Sequence, residues 1–192
     1  MRNNYWEGKD IRLRALEAQD IDRFVEMRNK PDSEGKWFYD RLLFPKSEEG
    51  VRKQYADLLL DLKDDKSYFV IETLDGEFAG DIGVWHTRRR EGVFLYGVFI
   101  EREHRRKGYG SQALIIILDY YFNELNYQKC SATVYGYNKQ SQKFQERLGF
   151  VREGSLRNEL YTRGKYYDEV YYGMLKEEFN GMHKHWLSEN CT

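Results

Sequence analysis

The 192-residue chain has little proline and little cysteine, two residues of each. Pro31 and Pro45 both fall before residue 46 and mark loops early in the chain. Cys130 and Cys191 are too few to hold a metal between them, and no metal site is expected. One cysteine sits in an apolar stretch and the other beside the C-terminus, so no disulfide is expected in a reducing compartment. Long hydrophobic runs are missing too. The longest aliphatic run, Ala113 to Leu118, is far shorter than a membrane span. The opening "MRNNYWEGKD" has no apolar core of signal-peptide length. These absences predict a soluble, cytoplasmic protein without a membrane partner. Neither charge is in excess. There are 31 basic and 32 acidic residues, a net charge of -1, which argues against a dedicated nucleic-acid binder. The local run "HRRK" remains able to meet a polyanion. No internal repeat or low-complexity segment is present.

What the chain does have is core-forming material: 41% hydrophobic and 16% aromatic residues. Its length fits one domain, read as residues 1–179, with a C-terminal tail over 180–192. "IRLRAL" alternates apolar and charged residues and predicts a strand. Residues 18–29 follow with helical spacing, and Asp20 is placed to cap that helix. A second helix is expected over 47–62. "SYFVIETL" and "EFAGDIGVW" flank Asp75-Gly76, a two-residue hairpin signal, and "GVFLYGVFI" supplies a third antiparallel strand. A helix over about 111–125 comes next, then a strand over 129–135 and a short helix over 139–148, with Gly149 as its C-terminal cap. "FVREGSLRNELY" and "DEVYYGMLKEEF" close the chain as strands. The order β-α-α-β-β-β-α-β-α-β-β predicts an α/β (α+β) domain with a mostly antiparallel sheet.

Gly108, Gly110 and Ala113 spell G-x-G-x-x-A, the spacing of a dinucleotide-binding turn. Its context is wrong for one. The seven residues "EREHRRK" separate Ile100 from Gly108, where a dinucleotide fold runs almost directly from strand to glycine. The motif also follows three antiparallel strands, and no Lys-Ser/Thr follows the glycine to make a Walker loop. A diphosphate of another kind suits it better. Four basic residues, His104 to Lys107, precede a glycine that lets backbone approach a ligand closely. A helix start then offers free N–H groups and the positive end of its dipole.

"Arg105-Arg106-Lys107-Gly108-Tyr109-Gly110" matches R/Q-x-x-G-x-G/A, and "NKQSQKFQERLGF" from Asn138 resembles N-x-x-[AS]-x-x-x-x-[EQ]-[KR]-x-G-F. Both in this order, with strand and helix between them, resemble the GNAT N-acetyltransferase superfamily. The ending, from Gly154 to Leu175, looks like the branch of ribosomal-protein N-terminal and spermidine acetyltransferases. The resemblance implies acetyl-coenzyme A as donor and a primary amine as acceptor: a small molecule, a polyamine or a protein N-terminus. It also implies a cleft where two strands splay, and dimers are frequent in the family.

In that frame the backbone of Val98, Phe99 and Ile100 would pair with the pantetheine arm. The N–H groups of Lys107, Gly108, Tyr109, Gly110 and Ser111 would hold the pyrophosphate, with charge added by Arg105 and Arg106. Asn138 and Ser141 match positions that meet the pantetheine or the thiol, and both types also favour helix starts. Arg147, one turn beyond Lys143, is a candidate for the 3′-phosphate, against a solvated helix face. Catalytic candidates are Ser141 toward the sulfur, Tyr96 on the strand beside the cofactor, and Asp81 as base. Relatives carry tyrosine where Gln145 stands, and an amide cannot be a general acid. That departure leaves open an acyl-coenzyme A sensor without turnover. The acceptor pocket is expected near Trp37, Phe38 and Tyr39 and the late "RGKYYDE" turn.

Overall fold

A computed structural model describes residues 4–29, 46–60 and 66–183. The early aromatics Trp37 to Tyr39, both prolines and Cys191 lie outside the described residues.

The elements run β1 (Ile11–Ala15), α1 (Asp20–Asn29), α2 (Glu48–Leu60), β2 (Ser67–Thr73), β3 (Phe78–Arg88), β4 (Val93–Ile100), α3 (Tyr109–Asp119), β5 (Lys129–Tyr135), α4 (Lys139–Arg147), β6 (Val151–Thr162), β7 (Lys165–Leu175) and α5 (Lys176–Met182). The seven strands form one sheet in the order β1-β2-β3-β4-β5-β7-β6. This is the α/β arrangement expected. Every neighbouring pair is antiparallel except β4 and β5.

The β4–β5 pair positions the site. These parallel strands are in register only from Val93, Phe94 and Leu95 to Lys129, Cys130 and Ser131. Beyond Leu95 and Ser131 they part, while β3 stays paired with β4 as far as Ile100 and β7 with β5 as far as Tyr135. The sheet therefore opens in its middle, with both sides of the opening held by full ladders.

Strand alternation divides β4 between two cores. Phe94 and Tyr96 face the cluster built on α3, against which Val98 and Ile100 also pack. Phe99 packs on the other cluster, built from Ile21, Phe24 and Val25 of α1 and Val51 and Tyr55 of α2. In α3 the whole run Ala113 to Leu118 is buried, as an all-apolar helix must be. Each such Leu or Ile contributes about 1.5–3 kcal/mol by leaving water. The helix ends in a π turn, Tyr120–Glu124, where Leu125 N–H reaches Tyr120 O at 3.0 Å.

Four expectations change locally. Asp20 does not cap α1. Its carboxylate takes two hydrogen bonds from Arg14, at 2.7 and 2.8 Å, and the Glu17 N–H at 2.8 Å. The β2–β3 turn is not a two-residue loop, because Gly76 N–H bonds Thr73 O and Thr73 N–H bonds Glu77 O, leaving three residues between the paired ends. Helix α3 begins at Tyr109, two residues early, because Gly108 serves as its cap. The last strand stops at Leu175. Lys176–Met182 turn helical, Glu178 accepts the Leu175 N–H at 2.8 Å, and Phe179 enters the core fully buried.

Candidate active site

A cavity of about 380 Å³ occupies the opening between β4 and β5. It passes between the two cores. Tyr55 and Tyr68 line it on the α1–α2 side, with Asp81, Gly83 and Trp85 of β3. Tyr96 and the α4 side chains Ser141, Phe144 and Gln145 line the α3 side. A ligand held from one side can thus meet a ligand from the other at the parted strands.

Helix α3 itself begins at the glycine loop. Arg106 and Gly108 both have positive φ, 65° and 86°. Glycine accepts this freely, and for arginine it is a strained setting. The turn points a run of N–H groups outward. Among the described residues, the N–H groups of Arg106, Lys107, Gly108, Tyr109 and Gly110 bond no main-chain oxygen. Ser111 differs from expectation: its N–H is spent on Gly108 O at 3.0 Å, which leaves its hydroxyl. Gly110 is outside the cavity lining but next to it. A Cβ there would lie 3.3 Å from Ile100 and 3.7 Å from Phe144, which itself lines the cavity.

The basic run divides. His104 is buried, its ring 5.9 Å from Tyr109, and so leaves the cationic surface. Arg105 Nε donates to Ile100 O at 2.9 Å, and its guanidinium lies 5.9 Å from the Phe99 ring. It shapes the end of β4. Arg106 and Lys107 are exposed at the loop. Glu101, buried just before, is gripped by two of the three guanidinium nitrogens of Arg23 on α1, which ties this loop to the other layer.

At the start of α4, Asn138 Oδ1 accepts the Ser141 N–H at 3.0 Å, so Asn138 is a helix cap. That bond fixes the backbone of Ser141, whose side chain lines the cavity. Arg147 is exposed in the last turn of the same helix, about 13 Å along the axis from the cap. Tyr96 and Gln145 are both buried, and the Tyr96 hydroxyl donates to Gln145 Oε1 at 2.8 Å. Burial pushes the Tyr96 phenol well above its ordinary value, so it stays protonated.

Asp81 is buried on the α1–α2 side. Tyr68 O–H donates to its Oδ1 at 2.7 Å, and Oδ2 has no hydrogen-bond partner. Burial pushes its pKa up to about 7, opposed by the Tyr68 bond and helped by the charge of Glu101. Trp85 lies across Gly97, where a Cβ would fall 2.2 Å from the indole. Glycine at 97 is what lets that ring cover the strand beside Asp81.

The sequence reading missed Tyr68, since its place beside Asp81 follows from the β2–β3 register, with Val70 opposite Asp81 and Tyr68 opposite Gly83. The late turn does not reach this cavity. Tyr166, Tyr167 and Asp168 line a second one, also about 380 Å³, with Lys139, Glu146 and Arg152. Among the described residues, no group of three or more His, Cys, Asp or Glu could hold a metal ion. No described helix is long and apolar enough to cross a membrane.

A parted parallel pair, a glycine turn without a side-chain cap and a buried helix after it define an acyl-coenzyme A-dependent acyltransferase fold. Residues 10–151 match the model of the acetyltransferase (GNAT) domain, and the chain belongs to that family. It is an acetyl-coenzyme A-dependent N-acetyltransferase. Its sequence is 34% identical over 183 residues to YokL, an uncharacterized SPbeta prophage-derived N-acetyltransferase of Bacillus subtilis, covering 95% of this chain and 99% of that one. It is 26% identical over 178 residues to the spermidine N(1)-acetyltransferase of Escherichia coli K12, covering 91% and 90%. The fold is similar to that of a Vibrio cholerae spermidine N-acetyltransferase in complex with CoA and spermine, with a TM-score of 0.78 at 23% identity over 90% of this chain and 99% of that one.

Proposed function

We propose that this protein moves an acetyl group from acetyl-coenzyme A to a primary amine by direct attack on the thioester, with Asp81 as the base. The observation that carries the reading is the cavity at the parted strands with a buried acid in its wall, close to a glycine turn whose N–H groups bond no main-chain oxygen among the described residues.

The residues present fit coenzyme A. The N–H groups of Arg106 to Gly110 suit a pyrophosphate, with Arg106 and Lys107 adding charge. Beyond Leu95 the β4 backbone has no strand across the opening, and Val98 and the Ile100 N–H, though not the Ile100 carbonyl that Arg105 Nε takes, suit the amides of the pantetheine arm. When bound, the cosubstrate supplies an activated acetyl group. Ser141 and Gln145 face the region its sulfur would occupy.

The acceptor enters beside Tyr68, Asp81 and Trp85. An alkylammonium, with a pKa of about 10 by analogy with lysine, must lose a proton before it attacks. Asp81 can take it. A carboxylate titrating near 7 is matched to proton transfer at neutral pH, and Oδ2 is unoccupied. The aromatic rings around it favour a cation before deprotonation. A small amine, a polyamine such as the spermidine relatives use, or a peptide N-terminus would satisfy this chemistry.

The test is to incubate the protein with acetyl-coenzyme A and a panel of polyamines, peptide N-termini and aminoglycosides while following thiol release. Release with at least one amine is the expected result. Tight coenzyme A binding with no release from any amine would instead favour a sensor.

A further inference from the structure

We propose that Gln145 donates an amide hydrogen bond to the sulfur leaving the thioester, and that Tyr96 is the positioning residue that orients it. The proposal rests on the reading of the β4–β5 cavity as the acetyl-coenzyme A site.

Gln145 is 4% exposed and lines that cavity. Its side-chain oxygen is occupied by the Tyr96 hydroxyl at 2.8 Å. The amide has two donors besides, and among the described residues none accepts from Nε2. With no protein acceptor and a place on the cavity wall, these donors are open to a ligand that accepts. Ser141 stands four residues earlier on the same helix face and lines the same cavity. The two side chains make a polar strip on the cavity wall that α4 supplies, which Phe144 also lines.

Tyr96 turns that strip into an oriented one. Its hydroxyl holds Oε1 from β4, so the amide plane is set by a contact 49 positions away in the sequence. The phenol itself is committed to Gln145.

The chemistry balances without an acid. The ammonium loses its first proton through Asp81 to solvent; the neutral amine then attacks the acetyl carbon, and the second N–H proton passes to the Asp81 carboxylate, ionised again. The tetrahedral intermediate collapses, the C–S bond breaks, and sulfur leaves with the electron pair as a thiolate. Gln145 N–H stabilises that charge and transfers no proton. The proton on Asp81 then goes to solvent or to the free thiolate. A thiol with a pKa of about 8.5 leaves readily enough for a hydrogen bond to suffice.

The experiment titrates the thiol of bound coenzyme A by the ultraviolet absorbance of its thiolate, beside steady-state kinetics. In Gln145→Leu the bound thiol should become about tenfold less acidic, a hydrogen bond to a charged group having been removed. Its kcat should fall about tenfold, with KM for acetyl-coenzyme A within about twofold, since the interaction is made as charge develops. Tyr96→Phe should move both readouts the same way by a smaller factor. Gln145→Glu keeps the shape and the Tyr96 partner but replaces donor by acceptor. It should make the bound thiol less acidic than Gln145→Leu does.

Bound thiols that titrate alike in wild type, Gln145→Leu and Gln145→Glu would overturn the proposal while leaving the cavity reading intact. Failure of the wild type to bind coenzyme A would overturn both. If Gln145→Leu does not fold, the near-isosteric Gln145→Glu decides the matter alone.

Discussion

Two cavities of the same volume, about 380 Å³, lie on different sides of α4, and they are chemically unlike. The cavity between α4 and the β6–β7 hairpin is rimmed by Lys139, Glu146, Arg152 and Asp168. Its acids are spent within the protein. Asp168 accepts from Asn158 N–H at 3.1 Å, and Glu146 from Tyr172 O–H at 3.3 Å. The β4–β5 cavity holds fewer charges, but Asp81 there is buried and has an oxygen left over. Volume does not separate the two. What separates them is whether a desolvated group still lacks its partner, because that cost persists only where a ligand or a reaction repays it.

The comparison breaks most directly at Asp81. Asp81→Asn should lower kcat/KM for the amine by about 10²–10⁴-fold, the range for a lost acid–base group, with KM for acetyl-coenzyme A unchanged. The wild-type rate should rise with pH through about 7 as Asp81 ionises, and the variant should lose that limb. Stability moves the other way. The unfolded chain releases this proton near pH 3.9 and the folded one near 7, so Asp81 costs the fold progressively as pH rises between them. Asp81→Asn should therefore be more stable than wild type at pH 8, by on the order of a few kcal/mol, with the gap closing at pH 4. Denaturant melts at both values measure it. A gap of equal size at the two pH values would contradict the buried-acid account.

A second cut tests the cofactor side. Gly110→Val would drive a branched side chain against Ile100 and Phe144. Coenzyme A affinity should drop about 10- to 100-fold, a loss of about 1.4–2.8 kcal/mol by calorimetry. Undiminished binding would place the pyrophosphate elsewhere.

The third prediction concerns a network that touches neither cavity. Arg14 bridges Asp20 and Glu72 across α1 and β2. Burial alone would raise both acids, but the arginine hydrogen bonds hold both below their usual values. Their contribution is present above the unfolded carboxylate range and is lost as pH falls through the lower folded values. Arg14→Ala should cost about 1–3 kcal/mol at pH 7, a partly exposed network being worth less than a buried one. It should flatten the acid limb and leave kcat within about twofold. The smallest effect belongs to the second cavity. Lys139→Ala with Arg152→Ala should shift kcat/KM by less than about twofold. A tenfold loss would make that cavity part of the acceptor path and erase the contrast.

Much of the fold was legible along the chain. The strand alternation of β1 to β4, the apolar helix after Gly108 and the stop at Gly149 follow from local periodicity and backbone preference, and they stand where expected. The errors lie where a side chain had two uses. Asp20 has the right chemistry for a cap, but a guanidinium from β1 binds it more strongly. Arg105 has the right charge for a phosphate, but its Nε braces the end of β4. Lys176–Phe179 read as the end of the last strand, although the chain turns helical there and buries Phe179.

The amino-acid sequence by itself determined the order of elements and the glycine turn, because helix and strand periods and positive φ are properties of neighbouring residues. The tertiary structure decided which groups stand where the proposed chemistry needs them. Asp81 becomes a neutral-range acid because packing removes water from it, and Gln145 becomes an oriented donor because Tyr96 arrives from another element. Burial and pairing across 49 positions are set by the folded sheet, and no local pattern carries them.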